Sequence, residues 1–64
     1  MLIYIDVNIE KVPDDSRRML YDRCRQVIFP EPNIYRYIFF NKEIRDIAAA
    51  ELEVRNVEFK KSEE

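Results

Sequence analysis

Ile34-Tyr35-Arg36-Tyr37-Ile38-Phe39-Phe40 decides how this chain is read. The run is dense in β-branched and aromatic residues, which fit a pleated surface, and it is expected to be a strand. Alternation offers two possible faces, Ile34/Ile38/Phe40 or Tyr35/Tyr37/Phe39. The more aliphatic first set is assigned to the core. Arg36 then falls on the core side, which is tolerable near an edge, where its stem packs and its guanidinium reaches water. Tyr35, Tyr37 and Phe39, with Tyr4 in reach, become an exposed aromatic row.

Upstream of this strand, Phe29-Pro30-Glu31-Pro32 marks a break, because proline disfavours helix for the residue before it and has no N–H to donate. A helix is expected from about Pro13 to Ile28. Pro13 suits a first helical turn, and Asp14 and Asp15 complement the positive end of the helix dipole. Leu20, Cys24, Val27 and Ile28 fall in one arc at 100° per residue, with Tyr21 at its edge. Before that helix, Leu2 to Ile9 alternates with a period of two: Ile3, Ile5, Val7 and Ile9 form a wholly β-branched face, and Leu2, Tyr4, Asp6 and Asn8 form the other. The first face belongs to the core.

Downstream, Asn41 is a credible N-cap, and Ile44, Ile47 and Ala48 start a second helix. Beyond Ala50 a continuing helix would carry Glu51 into the apolar arc, at the cost of burying a charge. Extended chain over residues 51–59, with a bulge at Asn56, is therefore the favoured reading. One helix running to Arg55 and ended by Asn56 in a left-handed conformation competes with it. The expected architecture is an α/β (α+β) two-layer sandwich of order β-α-β-α-β, a three-stranded sheet with both helices on one face. Residues 1–60 form a single domain, and 61–64 a frayed charged tail. Should the first two strands be neighbours, the helical crossover makes them parallel.

The chain has 64 residues, net charge −2, one cysteine, and no glycine, histidine or tryptophan. A domain this small buries only about 60% of its unfolded surface. Self-association, most simply a homodimer, would supply further burial. Without histidine there is no Ser-His or Cys-His pair and no imidazole ligand. Without glycine there is no phosphate-cradling loop. Cys24 shares a helical face with Leu20 and Ile28 and reads as core, and Asp14 and Asp15 read as helix-start carboxylates. No catalytic residue, metal site or cofactor is expected. No apolar run approaches the roughly 18 residues that span a bilayer, and a lone cysteine fits a reducing compartment, so a cytoplasmic setting is expected.

Charge is unevenly spread: Ser16 to Lys42 sums to +4 between acidic ends. The leading functional expectation is a non-enzymatic protein-interaction module, a small regulator or inhibitor of a larger assembly of viral or mobile-element accessory type. Its contact residues would be Tyr4, Tyr35, Tyr37, Phe39 and Arg36. The alternative is a single-stranded RNA or DNA binder, in which those rings stack bases and Arg17, Arg18, Arg25 and Arg36 meet phosphates.

Overall fold

The computed structural model describes residues 2–62, and within them the order is β1 (Tyr4–Asn8), α1 (Asp14–Arg23), β2 (Gln26–Glu31), β3 (Ile34–Ile38), α2 (Lys42–Val54) and β4 (Lys60–Lys61). The four strands form one sheet in the order β2-β3-β1-β4, and every neighbouring pair is antiparallel. This is α+β architecture, in the split β-α-β arrangement of ferredoxin-like domains. It corrects the expected three-stranded β-α-β-α-β order and the parallel pairing of the first two strands. The strand after α1 does not lie beside β1, because the β2–β3 hairpin turns the chain and inserts β3 between them.

The cause lies in residues 26–31. Helix α1 starts after Pro13, whose φ of −65° already suits the helix, with Asp14 and Asp15 in the first turn. It stops at Arg23, with the Cys24 N–H donating to the Leu20 carbonyl (2.9 Å). The helix expected to reach Ile28 thus ends five residues earlier. Gln26, Val27 and Ile28 pair instead with Ile38, Tyr37 and Arg36, and after Ile28 the register shifts so that Glu31 meets Ile34. Pro30 sits inside this irregular stretch on an edge strand, where a missing N–H is tolerated.

Register also settles which side of β3 is inside. Tyr37 lies opposite Ile5 and Tyr35 opposite Val7, whereas Arg36 lies opposite Asp6 and Ile38 opposite Tyr4. Residues directly across a ladder share a face. The tyrosines therefore point under the helices, and Ile34, Arg36 and Ile38 occupy the side without them. This reverses the expected assignment. The aliphatic set carries Arg36, which needs a carboxylate partner, and β1 supplies Asp6 only on that side.

Both helices pack on the same face, over one core of Ile5, Val7, Leu20, Tyr37, Ala48 and Leu52 with their neighbours. Helix α2 is capped by Asn41, whose Oδ1 accepts from the Ile44 N–H (2.9 Å). It turns Arg45, Ala48, Ala49 and Leu52 inward and leaves Ile47 exposed. Glu51 thus falls at the margin of the buried arc, half-buried, with Arg55 one turn on at 3.5 Å. The objection to a long helix disappears, and the favoured extended reading of 51–59 is corrected to helix through Val54. Asn56, at φ 59°, ends it: its N–H donates to the Glu53 carbonyl and the Val57 N–H to the Leu52 carbonyl (3.1 and 3.0 Å). This is the paired bonding of a Schellman cap, completed by apolar packing of Val57 and Leu52 in the core.

Lys61, expected within the frayed tail, pairs as β4 with Ile5, and Lys60 pairs with Asp6. Ser62 is buried, its N–H donating to the Tyr4 carbonyl (3.0 Å). The remainder of that expected tail, Glu63 and Glu64, lies outside the described residues.

Candidate functional site

The expected aromatic row is divided among three places. Phe39 is 2% exposed and belongs to the core, with its N–H bonded to the Ile3 carbonyl (2.7 Å). Tyr35 and Tyr37 lie on the helix side, and Tyr4 and Arg36 on the opposite face. No single surface carries all five expected contact residues, because Ile5 and Val7 draw Tyr35 and Tyr37 into the packed layer.

On the helix side, a groove of about 470 Å³ runs between α1 and the β2–β3 hairpin. Its floor is a ladder of rings: Phe29 stands 5.3 Å from Tyr35, and Tyr35 stands 5.9 Å from Tyr37, both tilted. Such centroid distances are those of favourable aromatic pairs. The ladder passes from surface to core, since Phe29 is 64% exposed and Tyr37 only 3%. The facing wall is α1, contributing Asp14, Arg17, Arg18 and Tyr21. Tyr21 is 68% exposed.

Polar groups along this wall are unevenly satisfied. The Arg17 guanidinium pairs through Nη2 with Asp14 Oδ1 one turn earlier. Its Nε, however, is buried and has no acceptor among the described residues. A buried donor without an acceptor carries a desolvation cost. The Tyr37 hydroxyl is pushed up to about 12, chiefly by burial and further by Tyr35, with Arg17 acting in the opposite direction. At neutral pH it is an uncharged hydroxyl.

The other face of the sheet centres on a cross-strand pair. Arg36 donates to both carboxylate oxygens of Asp6, from Nε at 2.8 Å and Nη2 at 2.9 Å, and its guanidinium lies 4.1 Å from the Tyr4 ring centroid. Bidentate and stacked contacts of this kind are specific to arginine. The Asp6 hydrogen bonds hold the Arg36 pKa above its already high ordinary value. Around the pair, Ile28 and Ile34 are half-buried, and Ile38 is 4% exposed although it lies outside the core cluster.

The arginines named for phosphate contact do not converge. Arg17 and Arg18 line the groove, Arg36 is engaged by Asp6 on the far face, and Arg25 lies over the exposed Phe40 ring at 5.5 Å. Phe29 and Tyr21 are exposed rings of the groove that the sequence reading did not single out. Tyr21 was visible at the edge of the α1 arc, but Phe29, read as the end of a helix, gave no such signal.

Burial raises the Cys24 thiol above its ordinary value, and Sγ lies 3.4 Å from the Tyr21 carbonyl, so a thiolate at neutral pH is disfavoured. Among the described residues no group of three or more His, Cys, Asp or Glu side chains could hold a metal ion, and no helix is long and apolar enough to cross a membrane. Comparison of the chain with protein-family models, curated proteins and solved structures finds no match.

Proposed function

We propose that this chain is a non-enzymatic protein-interaction module, a small regulator or inhibitor of a larger assembly, which takes a segment of its partner into the groove between α1 and the β2–β3 hairpin. One observation carries the reading: two exposed rings, Tyr21 and Phe29, flank a groove whose wall carries Arg17 and Arg18. Aromatic rings and arginine are the residue types that dominate protein interfaces. The segment that suits the groove has an apolar side chain for the ring ladder and a carboxylate or carbonyl oxygen for Arg17. The test compares what is retained from the native cell by the wild-type chain, by Phe29→Ser with Tyr21→Ser, and by Phe40→Ser. A protein held by the wild type and Phe40→Ser but lost by the groove variant supports the reading; retention of the same proteins by all three refutes it.

A single-stranded RNA or DNA is the second reading, favoured by Arg17 and Arg18 lying in the same groove as the rings. Bases would stack on Phe29 and Tyr35 while the arginines meet phosphates. Against it stand Asp14, already paired with Arg17, and the net charge of −2. Affinity for mixed-sequence single strands, measured at about 50 and 200 mM salt, separates the two readings: phosphate-driven binding weakens steeply over that range.

A further inference from the structure

We infer that the open edge of β2 takes an extended segment of a protein partner as an added strand, apolar toward the groove and acidic at one end. The inference rests on the interaction reading above and specifies the conformation and chemistry of the segment that the groove receives.

The backbone supplies the first argument. The Phe39 N–H donates to the Ile3 carbonyl and the Asn33 carbonyl accepts from the Ile9 N–H (2.7 and 2.8 Å), so the odd-numbered residues along β3 turn their polar groups toward β1. Arg36 and Ile38 therefore turn theirs toward β2, where they lie opposite Ile28 and Gln26. Val27, between those two, is left with its N–H and carbonyl on the outer side, and alternation sets Phe29 the same way. β2 ends the sheet on this side, so these groups face no further strand. The opposite edge is closed to such pairing, because β4 is only two lysines long. Short length and lysine are devices that blunt an edge, and before Pro30 the β2 sequence has no lysine. Strand addition to an exposed edge is a recurring mode of peptide recognition.

Side chains supply the second argument. Residues directly across a ladder share a face, so an added strand keeps the side chains opposite Val27 and Phe29 on the groove side. They stand about 4.8 Å outside β2. There they meet the rings of Phe29 and Tyr21, both largely exposed. Two apolar residues spaced two apart cover that surface.

Charge supplies the third argument and fixes the end of the segment. The groove and the adjoining hollow, which Arg25 shares with Tyr21 and Val27, hold Arg17, Arg18 and Arg25 against Asp14 alone. This flank is net basic in a chain whose overall charge is −2. Arg17 is paired with Asp14, whereas Arg18 and Arg25 enter no ion pair among the described residues. A carboxylate two residues beyond the position opposite Val27 comes level with Arg25. Read antiparallel to β2, as all neighbouring strands of this sheet run, the segment is apolar-x-apolar-x-acidic.

The probe is a display library of random linear peptides, selected against the full chain. Enrichment of the apolar-x-apolar-x-acidic pattern is expected. An enriched peptide is then titrated into the wild type, into Phe29→Ser with Tyr21→Ser, into Arg25→Glu, and into a chemically synthesised chain N-methylated at Val27, which loses only the outward donor. Its dissociation constant should rise at least about tenfold in each altered chain. One further readout needs no variant: exchange of the Val27 amide in the wild type should be fast without peptide and slow with it. Peptides that need the two rings but ignore the N-methyl group, with a Val27 amide still fast when bound, overturn strand addition and leave the groove reading standing. Failure to enrich any peptide, or enrichment of peptides that ignore the loss of both rings, overturns both. A Val27 amide already slow without peptide places a second copy on this edge and also overturns the inference.

Discussion

Arg45 Nη1 donates to both the carbonyl oxygen and the hydroxyl of Ser62, at 2.9 and 3.1 Å, and so ties α2 to the end of a two-residue strand. The Ser62 hydroxyl also accepts from the Tyr4 N–H (3.0 Å), which places three elements on one buried oxygen. A strand as short as β4 has little ladder of its own, and this junction holds it in place. Arg45→Met keeps the packed stem and removes the donors. It is expected to cost about 2 kcal/mol in denaturant unfolding and to speed amide exchange at Tyr4 and Ser62 well before global unfolding. Unchanged exchange at those two amides would show that β4 is held by other means.

That junction was not visible in the sequence, and the reason is general to this chain. What is local was readable: the alternation of β1, the Pro13-Asp14-Asp15 helix start and the Asn41 cap. What depended on a distant partner was not. Val27 and Ile28 fit a helical arc as well as a strand, and only their pairing with Tyr37 and Arg36 decides between the two. The face of β3 was set by Asp6, 30 residues from Arg36 in the chain. Glu51 looked misplaced until α2 turned Arg45, Ala49 and Leu52 inward and set Arg55 beside it. The groove shares this character, since Tyr21 and Phe29 come to line one cleft only after β2 folds back along β3.

Tyr37 gives the fold an alkaline limit. Its hydroxyl is raised from 10.0 to about 12, so between those values the unfolded chain gives up a proton that the folded chain keeps. Fewer protons bound in the unfolded state means stability falls as pH rises. The free energy of unfolding should decline from about pH 10 to 12, and Tyr37→Phe should remove much of that slope. Ultraviolet titration of the phenolate, followed beside circular dichroism, checks both.

Asn56 is the place where backbone conformation meets side-chain choice. At φ 59° a Cβ is unfavourable, and asparagine is among the residues that tolerate the region best. Asn56→Ala should lose about 1 kcal/mol, whereas Asn56→Gly should be neutral or better. Thermal melts of the pair read the difference directly. Equal melting temperatures for alanine and glycine would mean that the cap relaxes.

Leu52 sits in the core and also accepts the terminal bond of that cap. Leu52→Ala opens a cavity under α2 and is expected to cost about 2–5 kcal/mol. In a domain this small that is most of the available stability. Loss of cooperative unfolding is the expected outcome.

The ladder from Phe29 to Tyr37 also gives the protein a built-in optical probe. The chain has no tryptophan and four tyrosines. Tyr21, Tyr35 and Tyr37 border the same cleft, and Tyr4 alone is stacked beneath a guanidinium elsewhere. Intrinsic emission therefore comes mostly from around the cleft, and a guest lying on those phenols should alter quantum yield without any attached dye, provided the guest itself is dark.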